Sequence, residues 1–215
     1  NISNQVYIGA NLGLVSLRYT SDAEFTESGS VNPYDQVDGF TGVENYRLSY
    51  LQNQETRGSG VNARLGVIFR PVSAFRIGAT LQTPTWFTID DTYSEVLNNK
   101  LSNDVFTNQA QVYDFTYNLK TPLKGSLGAS YVIGGQAIVS ADVDFIDYSS
   151  IRFSTNSSNG GIDAINDSNA AIRNNYTSAI NYRIGGEYKI ENISLRAGYG
   201  LNGSPYKNDD DKLFE

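Results

Sequence analysis

The chain contains no histidine, no cysteine and no methionine, so carboxylates, guanidiniums, hydroxyls and aromatic rings are left to do chemistry. No Ser-His-Asp triad, catalytic thiol, disulfide or Cys/His zinc site can be built from them. Of the usual haem ligands only Tyr remains. What the sequence offers instead is charge at alternate positions. Arg64, Arg76, Asp142, Asp144, Arg183, Glu187 and Arg196 all lie where every second residue is apolar, and all lie on the polar parity with Asn62, Thr80, Gln82, Ser126, Ser130 and Asn181. Arg suits enclosed pairing because its planar fork makes fixed bidentate bonds, whereas exposed sheet edges of soluble proteins commonly carry Lys. An enzyme would be confined to a carboxylate or Ser/Lys site, and no such constellation stands out, so the chain is read as not an enzyme. The stretch 22–44 holds Asp22, Glu24, Glu27, Asp35, Asp38 and Glu44 with no Lys or Arg. Its spacing matches no calcium loop; it reads as a solvated acidic loop, with no metal and no cofactor expected.

The elements that position these charges are strands. "INYRIGGEYKIENISLRAGYG", residues 180–200, puts Ile180, Tyr182, Ile184, Tyr188 and Ile190, then Ile193, Leu195, Ala197 and Tyr199, on every second position, the period of a strand with one apolar face. The same alternation predicts strands over 5–25, 46–69, 76–93, 112–133, 137–153, 172–190 and 193–201, about seven in all. Long polar loops (to 44, to 110 and to 170) alternate with tight links: "RPVSAF", the Gly134–Gln136 "GGQ" turn and Glu191-Asn192. The pairing predicted across "GGQ" sets Ile133 against Ala137, Tyr131 against Val139, Ala129 against Ala141 and Leu127 against Val143. Across Glu191-Asn192 it sets Ile190 against Ile193, Tyr188 against Leu195, Ile184 against Tyr199 and Glu187 against Arg196, an opposite-charge pair that supports the register. Across "RPVSAF" it sets Phe69 against Phe75, Val67 against Ile77 and Leu65 against Ala79.

Such a sheet fits either of two settings. In a soluble sandwich the apolar face is core and the polar face is solvated. In an outer-membrane barrel the apolar face meets lipid and the charges look inward. The predicted strands are longer than the ~5–6 residues usual in sandwiches, and long loops alternating with short turns is the outer-membrane pattern. The 15 Tyr and 10 Phe suit interfacial girdles as well as strands. Mean hydropathy is −0.36 and no apolar run approaches the ~20 residues of a spanning helix. The net charge of −7 and pI near 4.6 argue against a nucleic-acid partner. The fold class expected is therefore all-β, an antiparallel up-and-down transmembrane barrel with its charges inside.

Three features qualify that barrel. Gly9, Gly13, Gly66, Gly78, Gly128, Gly185 and Gly198 share the polar face; glycine there either relieves curvature or leaves room for lumen contents, a plug, water or substrate. Pro84 and Pro122 fall within long strands, where proline removes a ladder bond. They mark either a wall kink or the level at which strands leave the membrane and splay. Tyr113, Phe115, Tyr117 and Leu119 share the parity of Leu127, Ala129, Tyr131 and Ile133, and are read as an outward stripe on one strand. Asn1 is not an initiator Met, no signal peptide precedes it, and "NDDDKLFE" ends the chain. Residues 1–215 are therefore expected to be a processed or truncated segment of a longer protein. The sequons at Asn156 and Asn175 are what an Asn-rich chain produces by chance.

Three ordered stretches, "GSGVNARLGVIFRPVSAFRIGATLQTPTWFTIDDTY", "TPLKGSLGASYVIGGQAIVSADVDFIDYSS" and "AINYRIGGEYKIENISLRAGYGLNGSPYK", resemble the long-chain fatty-acid outer-membrane transporters. This is the FadL type, which includes aromatic-hydrocarbon (toluene) transporters, and the resemblance is to its Bacteroidetes branch, often labelled hemin receptors. It covers 58–207. It implies a 14-stranded barrel in the bacterial outer membrane, about half supplied here, with the N-terminal hatch and remaining strands elsewhere in the parent protein. It further implies passive movement of a hydrophobic molecule, a long-chain fatty acid or similar, through the barrel. Haem uptake is disfavoured by the missing ligands.

On that resemblance Trp86, Phe87, Tyr93, Phe106, Phe115 and Tyr117 are the candidate capture surface, with Trp86 and Phe87 equally readable as girdle residues. Arg64, Arg76, Arg183 and Arg196 either bind a carboxylate head group or pair with Asp142, Asp144 and Glu187 to hold the lumen together. The expected partners are membrane lipid, the substrate, the rest of the barrel and another outer-membrane protein. The last belongs to the competing reading, a non-transport barrel serving as scaffold in a surface or secretion complex.

Overall fold

The computed structural model describes residues 4–31, 44–101, 104–108, 110–155 and 161–207. Its strands are β1 (Val6–Val31), β2 (Glu44–Val72), β3 (Phe75–Gln82), β4 (Trp86–Leu101), β5 (Asp104–Thr107), β6 (Gln111–Lys120), β7 (Lys124–Ile133), β8 (Ala137–Asp147), β9 (Arg152–Ser154), β10 (Ser178–Ile190) and β11 (Ile193–Leu201). One helix, α1 (Ile162–Asn175), lies between β9 and β10. Among the described residues no helix is long and apolar enough to cross a membrane. The sheet order is β11-β10-β8-β7-β3-β2-β4-β6-β9, with β1 on β2 and β5 on β4.

Contacts divide the chain into two units. The first comprises Asn1–Val15, Ser59–Thr88 and Tyr117–Glu215, the second Ser16–Gly58 and Ile89–Thr116.

In the first unit the hairpins form where alternation places them. Ile133 faces Ala137, Tyr131 faces Val139 and Leu127 faces Val143. Ile190 faces Ile193, Tyr188 faces Leu195 and Glu187 faces Arg196. Gly134 and Gly135 turn the first of these at φ 57 and 72, a region glycine enters without steric cost. The "RPVSAF" link differs from expectation. Phe69 faces Ile77, Val67 faces Ala79 and Leu65 faces Leu81, two residues away from the predicted partners. The hairpin closes more tightly than predicted, which moves partners by three places, and a one-residue slip between Phe69 and Val72 takes one place back. A bulge there absorbs an extra residue and lets Val72 face Phe75 across a tight turn.

One face of this sheet is apolar and uncovered. Leu127, Tyr131, Ile184, Leu195 and Tyr199 are 50–65% exposed, and among the described residues the buried aliphatic side chains are those of Ile89, Ile172 and Ala179. A soluble protein does not leave an apolar surface of that extent bare, so the face requires an apolar medium. The opposite face carries Arg76, Asp142 and Arg183 and holds a shallow trough of about 670 Å³ floored by Gly66, Gly78 and Gly128. Gly78, Gly128, Asp142 and Arg183 are successive partners in one row across the sheet.

Two expectations fail here. Residues 172–177 are not strand: Ile172 is a buried helical residue and β10 begins at Ser178. The Ser/Asn/Gly-rich segment before it is largely helix α1 rather than loop. The helix is held by tertiary bonds at its C-terminal end, where Tyr176 bridges to Tyr206 and the Thr177 N–H donates to the Pro205 carbonyl at 2.8 Å.

In the second unit β1 runs on to Val31, so Asp22, Glu24 and Glu27 belong to a strand and not to an acidic loop. Neighbours on β2 satisfy two of them: Ser49 donates to Glu24 at 2.8 Å and Tyr46 to Glu27 at 2.7 Å. Glu44 opens β2; Asp35 and Asp38 lie outside the described residues. β4 reaches Leu101 and pairs with β5, replacing much of the expected Asn-rich loop with a hairpin.

Candidate functional site

Three neighbouring strands of the first unit are interrupted. β3 gives way to β4 at 83–85, β6 to β7 at 121–123, and β8 to β9 through a single 3-10 turn, Tyr148–Ser150. Pro84 and Pro122 occupy the first two gaps. They lie side by side, because the Thr121 N–H donates to the Thr85 carbonyl at 3.0 Å, three residues beyond the Gln82–Lys124 pair. Threonine hydroxyls take the place of the missing ladder. Thr121 Oγ1 accepts from the Thr85 N–H at 2.8 Å, Thr83 Oγ1 accepts from the Ala63 N–H at 2.9 Å, and Thr85 Oγ1 accepts from Asn62 Nδ2 at 2.9 Å. Pro84 and Thr85 are buried and Pro122 half-buried, so the gaps are packed and stitched, and the strands resume pairing beyond them.

The break exchanges faces. Before it, Gln82 accepts from Arg64 and Thr80 lies against Gly66. After it, Thr85 bonds Asn62, and Phe87 lies so close to Gly60 that a Cβ there would sit 2.7 Å from the ring. Gly60, Asn62, Arg64 and Gly66 are alternate residues of one uninterrupted strand and share a face. Their partners run Phe87, Thr85, Gln82, Thr80, so one extra residue in the gap turns β4 over relative to β3. The neighbouring strand turns with it. Thr88 donates to Asn118 at 3.1 Å on one side, which leaves Tyr117 and Leu119 on the side of Phe87. Below the break, Ser126 shares its side with Thr80. On the third strand Phe153 pairs with Leu119 and its ring meets Tyr117 at 5.8 Å, on the side where Asp144 meets Ser126.

Tyr117 and Leu119 are therefore not an outward continuation of Leu127, Ala129, Tyr131 and Ile133. They lie on the opposite face, with the charges, because the break inserts a residue that sequence parity does not reveal. Trp86, next to Phe87, is on the other face and 50% exposed. Phe87, Tyr117, Leu119 and Phe153 thus form an aromatic stripe on the polar side of the sheet. Leu119 and Phe153 were missed as candidates; the "TPT" and "TP" motifs at the gaps are the signals that point to them.

The second unit carries its own aromatic patch. Tyr93 stacks on Tyr113 at 6.2 Å and accepts from Gln52, and Phe115 follows Tyr113 on the same face of β6, 50% exposed. Phe106 pairs with Asn99 from β5 and is 57% exposed. Around Tyr93 run polar bonds: Tyr50 donates to Glu95, Gln54 to Asp91 at 3.1 Å and Thr56 to Asp91 at 2.8 Å. The Glu95 carboxylate beside Tyr50 pushes its phenol above the usual range. On the reverse face Asp90 accepts from Thr116 and Asp114 from Thr92.

The candidate lumen charges separate into distinct groups. Arg183 spans two carboxylates, reaching Asp142 and Asp144 at 2.8 Å each. Asp144, only 3% exposed, also takes Lys124 at 3.2 Å and Ser126 at 2.5 Å. Lys124 was not singled out in the sequence; its place opposite Ile146, two residues from Ser126, brings it in. Arg196 forks onto Glu187 at 2.8 and 3.3 Å. Arg64 meets Gln82 rather than an acid, and Arg76 lines the glycine-floored trough. No cluster of three or more potential metal ligands occurs among the described residues.

A family model described as outer membrane protein transport protein (OMPP1/FadL/TodX) matches residues 2–213. A search of curated proteins returned no match. The uncovered apolar face is therefore the lipid face of an antiparallel transmembrane β-barrel, and the face with Arg183 and Phe153 looks away from lipid. The chain belongs to the OMPP1/FadL/TodX family of bacterial outer-membrane transport proteins.

Proposed function

We propose that the hydrophobic molecule moved by this protein is an elongated one, a long-chain fatty acid or similar, and that it passes by diffusion along Phe87, Tyr117, Leu119 and Phe153. The observation that carries this reading is the face exchange at 83–85 and 121–123. Below the gaps the side away from lipid is glycine and charge; above them the same side is aromatic. A stripe of rings beside a half-buried polar network matches the needs of a chain with an apolar body and an acidic end. Arg76 is the cation placed to meet that end. Arg183 and Arg196 are engaged with carboxylates, and their role in this reading is to hold the wall. Tyr93 and Phe115 belong to a second aromatic patch with Tyr113, Phe106 stands apart from it on β5 opposite Asn99, and Trp86 is read as a girdle residue. The outer edges of β1 and β11 are read as meeting further strands of the same barrel.

The test is mass spectrometry of small molecules extracted from the full-length protein in mild detergent. Near-stoichiometric fatty acid in the wild type, lost in Phe87→Ala and Tyr117→Ala but retained in Trp86→Ala, is the expected result. Loss in Trp86→Ala with retention in the other two would overturn the assignment, and unchanged fatty-acid uptake on deleting the parent gene would count against the function.

A further inference from the structure

Among the described residues, one polar side chain of helix α1 is buried against the sheet. Asn169 is 7% exposed, and both ends of its amide bind one residue of β9. Nδ2 donates to the Phe153 carbonyl at 2.8 Å and Oδ1 accepts from the Phe153 N–H at 2.9 Å. An amide bound in this way imitates the peptide of a neighbouring antiparallel strand. β9 is the last strand in the sheet order and, among the described residues, pairs with β6 alone. Its other edge, which would otherwise be open, is closed by this side chain. Ile172, one turn further on the same helix face, is buried beside it.

The C-terminal end of α1 is tied down independently. Lys207 donates its N–H to the Asn175 carbonyl at 2.8 Å and its ammonium to the Arg173 carbonyl at 2.5 Å. The N-terminal end has no side-chain cap at Gly161, so it lacks a bond that commonly secures a helix start. The helix is thus anchored at one end and held to the sheet midway by Asn169.

We propose that Asn169 is a positioning residue for transport: its clamp on Phe153 fixes the ring against Tyr117 and sets how readily the aromatic stripe opens to its ligand. Phe153 is the only residue bound by the clamp and is also a member of the stripe, so releasing the clamp frees that ring. The sequence shows why the device is polar. Leucine at 169 would bury equally well, but it would leave the N–H and carbonyl of Phe153 unpaired, which is costly inside a protein. This inference rests on the proposed role of the stripe.

The experiment uses the full-length protein in detergent, with a fluorescent long-chain fatty acid as probe. Asn169→Leu, close in volume and without the amide, is expected to speed amide exchange at Phe153. It should also raise both probe association and dissociation rates on the order of tenfold, with little change in Kd. A residue that merely stabilised the fold would lower the thermal midpoint without moving both rates together. Should Asn169→Leu not assemble, Asn169→Gln, which displaces the same amide by one methylene, carries the test. Faster exchange at Phe153 with unchanged probe kinetics overturns the inference. No probe binding by the wild type overturns instead the reading on which it rests.

Discussion

A methyl group added at Gly60 tests the break at its tightest point. A Cβ there would lie 2.7 Å from Cδ1 of Phe87 and 3.0 Å from Cε1 and Cγ. Carbon atoms approach comfortably to ~3.5–4.0 Å, so the ring must retreat by roughly 1 Å or swing away. Overpacking of this kind costs ~1–3 kcal/mol. Gly60→Ala should therefore lower the thermal midpoint of the purified full-length protein and reduce its occupancy by fatty acid, since Phe87 would leave the stripe. The three nearest atoms all belong to Phe87. In a Phe87→Ala background the same methyl loses those neighbours, and Gly60→Ala should cost less than ~0.5 kcal/mol there. A double-mutant cycle read by denaturant unfolding then yields a coupling of more than ~1 kcal/mol between the two sites. Additive effects would refute the reasoning, because they would mean that Phe87 does not lie over Gly60 and that β4 has not turned over.

Glu191 holds φ at 49° in the two-residue turn between β10 and β11, a conformation unfavourable for a side chain other than Gly, Asn or Asp. Glu191→Gly should raise stability by ~0.5–1 kcal/mol, seen as a higher thermal midpoint. Glu187→Arg should lower refolding yield by placing like charges opposite each other, and adding Arg196→Glu should restore it, because the pair is cross-strand and symmetric in the ladder. Tyr50 is held above the ordinary phenol range first by its bond to Glu95. The unfolded chain therefore ionises this phenol first, and the stabilisation from the bond, full below pH 10, is lost as pH rises beyond it. Spectrophotometric titration of Tyr50→Phe against wild type should show one fewer late-ionising phenol.

The hairpins were legible because strict alternation fixes both period and register: Ile133 opposite Ala137 and Glu187 opposite Arg196 follow from counting. The "RPVSAF" register was not, since a tighter turn and a one-residue bulge together move partners by two and leave parity undisturbed. The face exchange was hidden for a related reason. Apolar residues keep odd numbers through Leu119, Leu127 and Tyr131, and counting cannot see that three residues of the gap occupy two places in the ladder. Helix α1 escaped because Asp, Asn and Ser make up much of "IDAINDSNAAIRNN". These residues favour turns and caps over helix interiors, and the helix is held by Asn169 and Ile172 rather than by propensity.

The face exchange decides which residues line the transport path, and the absence of cysteine from residues 1–215 makes it directly measurable. Single cysteines at Leu127, Phe87 and Tyr117 of the full-length protein in liposomes would be exposed to a lipid-soluble thiol reagent, with and without fatty acid. The account predicts fast labelling of Leu127→Cys from the lipid phase, slow labelling of Phe87→Cys and Tyr117→Cys, and protection of the latter two by fatty acid. Labelling of Tyr117→Cys as fast as Leu127→Cys, and unaffected by fatty acid, would contradict it.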